Sequence, residues 1–290
     1  MRSEQDMMDL ILAVARQDDR IRVVVMNGSR VNPNAPKDIF QDYDIIYLVT
    51  DLGSFLADHT WVDVFGERMI MQKPDDMAMF PSEGTGSFAY LMQFMDGNRI
   101  DLTLEPLDDM TVYHNDDKLT VVLLDKDNRI PAIPAPTDED YWVKAPSAEF
   151  FADCCNEFWW VATYVAKGLW RREILYARAH LDQHVRPMLI QMLEWHAGIR
   201  TDFSLSMGKF GKYLEKHLPD ESWQALLATY ADGSYEGTWQ ALFAACDLFR
   251  GTGQIVAAHS GYEYPSEDDL RVMAHLRHVY ELPWDAAEMY

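Results

Sequence analysis

The chain has 290 residues, with 25 lysines and arginines against 47 aspartates and glutamates, which gives a formal net charge of −22. The sequence is 48% hydrophobic and 12% aromatic, which excludes intrinsic disorder because so much apolar surface does not stay in water. The acidity disfavours nucleic-acid partners, since phosphate backbones require clustered cations. It favours a metal ion or a cationic small molecule, although acidity can also serve solubility alone.

The cysteines and the N-terminal segment indicate the cellular compartment of the protein. Cys154, Cys155 and Cys246 form neither a disulfide framework nor a metal-binding spacing, which favours a reducing environment. The first apolar run is short and is broken by Arg16 and Asp18, so it is neither a signal peptide nor a membrane span. We expect a cytoplasmic protein with no membrane partner.

The N-terminal part of the chain alternates helix-like and strand-like segments. Helical spacing of apolar residues predicts an opening helix over 4–17. Short β-branched runs predict three strands, at 21–26, 44–49 and 99–104, with edge strands at 67–71 and 121–124. The segment 87–94 fits a helix or a strand equally well. The length suits two domains, and this alternation of helix-like and strand-like segments predicts a mixed sheet with flanking helices over residues 1–135.

A proline-rich connection at 131–147 separates this part from a helical region, because proline fixes φ and removes a hydrogen-bond donor. Beyond it, helical periodicity runs almost without interruption from 148 to 197. Further helices are predicted at 206–217, 221–230, 237–250 and 266–279, with Gly251-Thr252-Gly253 as a stop signal. The sequence therefore predicts an α+β protein whose second domain, residues 136–290, is a helical bundle.

The residues that indicate chemistry lie at strand ends. Gly28-Ser29 directly follows the first strand, where glycine lets a backbone approach a phosphate closely. Asp42 and Asp44 enter the second strand, and alternation places both on one face, close enough to share a cation. Asp101 lies inside a later strand, where aspartate is rare and needs a partner or a metal. If these strands are neighbours, the three carboxylates converge, and hard ions such as Mg²⁺ prefer such oxygens.

This ordered set resembles the nucleotidyltransferase superfamily with the DNA polymerase β-like catalytic fold, in which a Gly-Ser motif precedes a paired Asp motif and a third carboxylate. The helical part resembles the streptomycin (aminoglycoside 6-) adenylyltransferases. That second resemblance rests on four stretches, Asn156-Glu157-Phe158-Trp159-Trp160, the segment 164–173 (YVAKGLWRRE), Met192-Leu193-Glu194-Trp195 and the segment 203–209 (FSLSMGK). Together the two resemblances extend over most of the chain.

The resemblance implies transfer of AMP from ATP to a hydroxyl of an aminoglycoside, with release of pyrophosphate. It implies that Asp42 and Asp44 hold two Mg²⁺ ions and that Asp101 completes the metal site or accepts the hydroxyl proton, with Glu105 as its competitor. It also implies that Gly28, Ser29 and Arg30 hold phosphates.

In the helical domain, Lys167 and Arg171 are spaced i, i+4 and share a helix face, which suits a clamp on the ATP triphosphate; the alternative is a solvated face. A polycationic aminoglycoside requires an acidic, aromatic receptor. The candidates there are Asp153, Glu157, Trp159 and Asp182, each of which could equally be an ordinary surface acid or core aromatic. Two other functions remain open, namely a different acceptor (a lincosamide, a metabolite or a protein side chain) and a non-catalytic acidic binding module.

Overall fold

The computed structural model describes residues 1–81, 86–107 and 117–290. The chain divides into two compact units, Met1–Asp140 and Tyr141–Tyr290. The first contains a sheet with helices on one face, and the second is helical. The α+β class predicted from the sequence is therefore confirmed. Every helix in the described ranges is too short or too polar to cross a membrane.

The first unit is built on a six-stranded mixed sheet with the order β3-β4-β5-β2-β1-β6. Only β2 and β5 pair in parallel among its neighbouring strands. The two predicted edge strands lie at the two edges, and the ambiguous segment 87–94 is a strand. The strands are β1 (Ile21–Asn27), β2 (Tyr43–Val49), β3 (Arg68–Gln72), β4 (Phe88–Phe94), β5 (Arg99–Pro106) and β6 (Thr120–Asp125).

Alternation along the strands gives this sheet two different faces. Helix α1 (Glu4–Gln17) begins with a capping box made by Ser3 and Asp6 and buries Ile11 against one face. The Tyr47 hydroxyl reaches the Ile11 carbonyl oxygen at 2.7 Å from that face. A short helix, α2 (Leu52–Leu56), adds Phe55 to the same core. The other face carries a smaller apolar cluster, and the polar residues at the ends of the strands lie beyond that cluster.

The second unit packs its helices around one core. The helices are α3 (Ala148–Trp170), α4 (Ile174–His180), α5 (Arg186–Arg200), α6 (Leu214–His217), α7 (Asp220–Ala228), α8 (Tyr235–Ser260) and α9 (Ser266–Glu281), with a π-helical turn at Leu181–Val185 between α4 and α5. At the centre, the rings of Phe158 and Phe249 stack with centroids 3.8 Å apart. The proline-rich connection has a single 3₁₀ turn within the described chain, at Glu139–Tyr141.

The predicted helix over 206–217 is wrong for most of its length. The chain there forms a 3₁₀ turn at Lys209–Gly211 and reaches α-helical geometry only in α6. Gly208, Phe210 and Gly211 all have positive φ, which is incompatible with a continuous right-handed helix.

The predicted stop at Gly251-Thr252-Gly253 is also wrong, because α8 continues through it to Ser260. Glycine serves packing here: a Cβ on Gly253 would lie 2.8 Å from Cε2 of Tyr264. Thr252 is buried in the same helix, with 3% of its surface exposed. The helix ends instead at Gly261, which adopts the left-handed conformation of a C-terminal cap.

Candidate active site

The turn after β1 is shaped to leave room for one carboxylate. Gly28 has a φ of +77°, and a Cβ built on it would lie 1.9 Å from Oδ2 of Asp44. The Asp44 side chain therefore occupies the space that any residue other than glycine would need. Gly28 begins a single 3₁₀ turn, Gly28–Arg30, which redirects the chain away from the sheet.

Three carboxylates converge at this end of the sheet. Asp44 and Asp101 are direct partners in the parallel pairing of β2 with β5, so the two strands that the sequence left unplaced are neighbours. Asp42 lies just before β2. Oxygen atoms from Asp42, Asp44 and Asp101 lie within 4.8 Å of one another, and all three residues are partly buried.

The clustered charge perturbs Asp44 most strongly. Burial, followed by the neighbouring charges of Asp42 and Asp101, raises the pKa of Asp44 to about 7. Each of these causes disfavours the ionised form, because a carboxylate loses hydration on burial and is repelled by like charge. An arrangement that keeps three acids together at this cost is typical of a cation site.

Arg99 is the cation that this structure supplies to the cluster. Its Nε and Nη2 donate to the two oxygens of Asp101 at 2.7 and 2.6 Å, and Nε lies 3.8 Å from Oδ2 of Asp42. These carboxylates raise the pKa of the Arg99 guanidinium, with the hydrogen bonds to Asp101 as the largest cause. The strand alternation that puts Asp101 on this face also puts Arg99 there, since they are two residues apart.

Arg30, one of the residues predicted to hold phosphates, binds backbone oxygens and an aromatic ring in this structure. Arg30 donates to the carbonyl oxygens of Asp42 at 2.9 Å and Gln41 at 2.8 Å, and its guanidinium lies 3.7 Å from the centre of the Tyr43 ring. Gln41 in turn donates to the carbonyl oxygen of Ser29 at 3.1 Å. Arg30 therefore fastens the segment before β2 to the Gly28–Arg30 turn, which fixes the entry of Asp42 into the site.

Sequence reasoning missed Asn27. It is the direct cross-strand partner of Asp44, so the two side chains share a face. Its Oδ1 is buried and has no hydrogen-bond partner within the described chain. Position alone could have drawn attention to it, because Asn27 immediately precedes the Gly-Ser turn.

Glu105 lies further along β5 on the face that carries Asp101. It is the register partner of Leu48, four residues and two alternations beyond Asp101. The structure thus places both candidate proton acceptors on the same strand and the same face.

The chemistry of the donor set fits Mg²⁺. The cluster offers carboxylate oxygens only, which hard divalent cations prefer, and it is too small a set to enclose an ion completely. A site with few protein ligands leaves positions for substrate oxygens. Asp42, Asp44 and Asp101 are therefore the residues that would hold the metal.

In the helical unit, Lys167 and Arg171 lie at the end of α3. The Lys167 ammonium lies 4.6 Å from the centre of the Tyr164 ring. Within the described ranges, neither cation has a carboxylate within salt-bridge distance. Both residues line one cavity of this unit.

The candidate acceptor-binding residues are distributed between surface and core. Asp153 and Glu157 are exposed and lie one turn apart on α3. Trp159 is only 2% exposed and donates to the Tyr264 hydroxyl from the core, whereas the ring of Trp160 is 59% exposed. The exposed indole on this helix thus belongs to Trp160, and periodicity of the aromatic run could have distinguished the two.

Asp182 is part of an ion-pair network. Its carboxylate accepts from Arg178 at 3.2 Å and from Arg186 at 3.0 Å. Arg186 also donates to Oγ1 of Thr229 at 2.6 Å, which ties the π-helical turn to the end of α7. Both oxygens of Asp182 are engaged in holding these elements together.

Comparisons with known proteins identify the family of this chain. A family model described as streptomycin adenylyltransferase matches residues 1–279. Proteins named aminoglycoside 6-adenylyltransferase are similar: one from Bacillus subtilis (strain 168) is 47% identical over 93% of this chain and 95% of its own length, and one from Campylobacter jejuni is 47% identical over 93% of each. A third, from Staphylococcus aureus, is 40% identical over 92% of this chain and 95% of its own.

A solved structure titled as an aminoglycoside 6-adenyltransferase from Bacillus subtilis matches 97% of this chain and 100% of its own at 41% identity, with a TM-score of 0.49. The family model and the curated relatives each span nearly the whole chain. The chain is therefore an adenylyltransferase-type enzyme and belongs to the streptomycin adenylyltransferase family.

Proposed function

We propose that this enzyme transfers AMP from ATP to a hydroxyl of a streptomycin-like aminoglycoside in the cytoplasm and releases pyrophosphate. The observation that carries the reaction class is the cluster of Asp42, Asp44 and Asp101 beside the Gly28 turn. The similarity to proteins named aminoglycoside 6-adenylyltransferase supports the acceptor class. The acceptor oxygen attacks the α-phosphorus, the bond from that phosphorus to the bridging oxygen breaks, and pyrophosphate leaves.

In this proposal, Asp42, Asp44 and Asp101 bind two Mg²⁺ ions. When bound, the ions supply charge neutralisation at the attacking and leaving oxygens. The carboxylates fix where that charge lies, and Arg99 holds the orientation of Asp101 through its paired hydrogen bonds. Arg30 keeps Asp42 in place through the two backbone carbonyls it binds.

The acceptor hydroxyl must lose a proton as it attacks. Asp101 is our first candidate to receive it, with Glu105 as the alternative on the same face of β5. In this structure each oxygen of Asp101 accepts one hydrogen bond from Arg99, and each keeps a second lone pair that can receive the proton.

Each unit contributes its own candidate groups for contact with the nucleotide phosphates in this proposal. Ser29 offers a hydroxyl, and the Gly28 turn offers backbone N–H groups. In the helical unit, Lys167 and Arg171 supply positive charge from one face of α3, and their lack of carboxylate partners among the described residues leaves that charge available.

The acceptor is a polycation, so acidic side chains are its expected ligands. Asp153 and Glu157 form an exposed acidic pair on α3, and the exposed ring of Trp160 lies one turn from Glu157. Carboxylates bind guanidinium groups in a planar, bidentate manner, which suits a streptomycin-type molecule. The net charge of −22 attracts such a molecule over longer distances.

Pyrophosphate release from ATP and Mg²⁺, with and without streptomycin, tests the proposal. We expect streptomycin-dependent release in the wild type and loss of at least a hundredfold in Asp44→Asn, because the carboxylate set that holds the metal is broken. Asp268→Asn is the matched control, since it makes the same change at an exposed aspartate in the first turn of α9.

The outcomes separate the two halves of the proposal. Full activity of Asp44→Asn would exclude the metal-site mechanism. Release that depends on a lincosamide or a metabolite but not on streptomycin would retain the reaction class and replace the acceptor. Comparison of Asp101→Asn with Glu105→Gln in single-turnover experiments across pH would identify the proton acceptor, because only its replacement removes the acidic limb of the rate profile.

A further inference from the structure

A row of polar side chains crosses three neighbouring strands at the end of the sheet that carries the three carboxylates. Asn27 on β1 is the direct register partner of Asp44 on β2, and Asp44 is the direct register partner of Asp101 on β5. Direct partners on adjacent strands present their side chains to the same face of a sheet. Asp44 therefore lies between Asp101 on one side and Asn27 on the other.

The packing of β1 fixes the face on which Asn27 lies. Val25 packs with Leu48 of β2 in the smaller apolar cluster, on the face away from α1. Asn27 is two residues beyond Val25, so alternation puts it on that same face. The Asp44 carboxylate leans towards β1, since its Oδ2 occupies the space that a Cβ on Gly28 would need. The Asn27 amide and the Asp44 carboxylate are thus neighbours.

Asn27 has an acceptor atom that the fold does not use. Its Oδ1 is buried and has no hydrogen-bond partner among the described residues. Such atoms are rare in native proteins, because a buried acceptor without a partner loses its hydration and gains nothing in return. Ionised Asp44 cannot be the partner, since a carboxylate accepts hydrogen bonds and donates none. Two oxygen acceptors side by side require a hydrogen-bond donor or a cation between them.

The polar groups nearest to this row are bound elsewhere. Thr120 on β6 is the second register partner of Asn27, but its hydroxyl donates to the carbonyl oxygen of Asp117 at 2.6 Å. Arg99 donates to the two oxygens of Asp101, on the opposite side of the row. Neither residue is a partner for Oδ1 of Asn27, which leaves this atom for a group that the site binds.

We propose that Asn27 is a fourth residue of the cation site, whose Oδ1 accepts a hydrogen bond from water in the hydration shell of the divalent ion. This inference rests on the proposed function for the presence of the ion. Mg²⁺ binds few protein ligands and keeps several waters, and groups around a metal site orient what the metal binds. Asn27 is therefore a positioning residue, which acts on the ion and makes no contact with the reacting atoms.

Electron paramagnetic resonance of Mn²⁺ with the full chain, without ATP or acceptor, tests this inference. We expect Asn27→Ala to weaken the Kd for Mn²⁺ about 10- to 100-fold, as the loss of a supporting residue around a metal site does. In EDTA the same variant should unfold at the same urea concentration as the wild type or at a higher one, because it no longer buries an unpartnered acceptor. A purely structural role predicts the opposite pair of results.

Thr120→Val is the matched control, since it removes a buried polar group at the neighbouring register position. It should unfold at a lower urea concentration in EDTA, because its hydroxyl donates within the fold, and should keep the wild-type Kd for Mn²⁺. Asn27→Asp is a second variant, which keeps the oxygen. It should bind Mn²⁺ at least as tightly as the wild type, while a further carboxylate beside Asp44 should lower the stability of the metal-free protein.

The outcomes separate this inference from the proposed function. An unchanged Kd for Mn²⁺ in Asn27→Ala, or an equal weakening in Thr120→Val, would overturn the inference, while streptomycin-dependent pyrophosphate release by the wild type would leave the proposed function intact. Lower stability of metal-free Asn27→Ala would also overturn it, because the amide would then support the fold directly. Weaker Mn²⁺ binding by Asn27→Ala alone, in a protein with no streptomycin-dependent release, would retain the inference and reject the acceptor.

Discussion

At the scale of single residues, Gly28 determines where Asp44 can lie. We predict that Gly28→Ala lowers adenylyl transfer by at least a hundredfold, because the new Cβ would meet the Asp44 carboxylate at 1.9 Å and displace it from the metal site. Pyrophosphate release measures the loss. Gly261→Ala is the control, since Gly261 has a similar φ of +72° but nothing within 4 Å of its added Cβ. It should cost about 1 kcal/mol of stability and no activity. Equal losses of activity would refute the steric argument.

The raised pKa of Asp44 also predicts how the stability of the fold depends on pH. Its pKa is raised from 3.8 in the unfolded chain to about 7 in the metal-free fold, so the folded state binds the extra proton between these values. The loss of folding free energy that ionised Asp44 causes is therefore absent below about pH 4, grows as the pH rises, and is complete above about pH 7. The full shift corresponds to about 4 kcal/mol, and partial solvent screening reduces it to about 2 kcal/mol.

We expect metal-free Asp44→Asn to be more stable than the wild type by about 2 kcal/mol at pH 8 and by only about 0.5 kcal/mol at pH 4.5. Urea unfolding in EDTA at the two pH values measures this. Mg²⁺ should remove the difference at pH 8 by stabilising the wild type alone, because the amide is a poorer ligand. A stability difference that is the same at both pH values would exclude the charge repulsion as its cause.

Arg99 competes with metal for Asp101. We predict that Arg99→Met tightens Mn²⁺ binding about tenfold, since it removes a positive charge that lies 2.6 Å from Oδ2 of Asp101. We also expect a lower kcat, because Asp101 loses the guanidinium that orients it. Electron paramagnetic resonance of Mn²⁺ gives the affinity independently of turnover. Weaker Mn²⁺ binding would mean that orientation by Arg99 matters more than its charge.

At the scale of elements, Gly251 and Gly253 lie two residues apart in α8 and have opposite environments. A Cβ on Gly253 would lie 2.8 Å from the Tyr264 ring, which cannot move freely because its hydroxyl is 2.9 Å from Asp269 and 3.2 Å from Trp159. Gly251 has open space around it. We predict that Gly253→Ala destabilises the fold by about 1–3 kcal/mol, whereas Gly251→Ala stabilises it by about 0.5–1 kcal/mol.

Urea unfolding of the two variants checks this pair, and because they are two residues apart in one helix, each is the control for the other. Stabilisation by Gly253→Ala would show that Tyr264 can give way. The pair also explains why the sequence misled at this point: glycine followed by Thr252 and glycine is a stop pattern locally, and the ring that requires Gly253 comes from beyond the end of the helix.

The difference between local sequence pattern and tertiary contact also decides which features of the site could be predicted from the sequence. Gly28, Asp42, Asp44 and Asp101 follow from strand periodicity and residue chemistry, and the parallel pairing of β2 with β5 brings them together. Periodicity is a local property, so it placed the sheet strands well. It could not reveal that Asp182 forms salt bridges with two arginines, because those contacts depend on tertiary packing.

Phe210 shows the same limit in the helical unit. Its positive φ breaks the helix expected over 206–217, although phenylalanine does not itself favour that conformation. The neighbouring Gly208 and Gly211 adopt the same region without a steric penalty, and together they turn the chain. A pattern of apolar spacing counts such glycines as neutral and so predicts a helix across them.

At the scale of the whole molecule, the net charge of −22 has a kinetic consequence. A polycationic acceptor is drawn towards the protein by its summed field, and salt screens that attraction over about 10 Å at 0.1 M. We predict that the KM for streptomycin rises about three- to tenfold between 50 and 300 mM KCl, since encounter weakens while the chemistry is unchanged. The kcat should stay constant over this range.

The KM for ATP with Mg²⁺ provides the internal comparison. Its complex is anionic, so screening relieves repulsion from the acidic protein, and its KM should stay constant or fall as salt increases. Steady-state kinetics with each substrate varied at saturating levels of the other gives both values. A parallel rise of the two constants would indicate a general salt effect on the enzyme. Opposite trends would indicate that the acidity acts on the acceptor, because a charge excess that only maintained solubility would not distinguish between substrates of opposite sign.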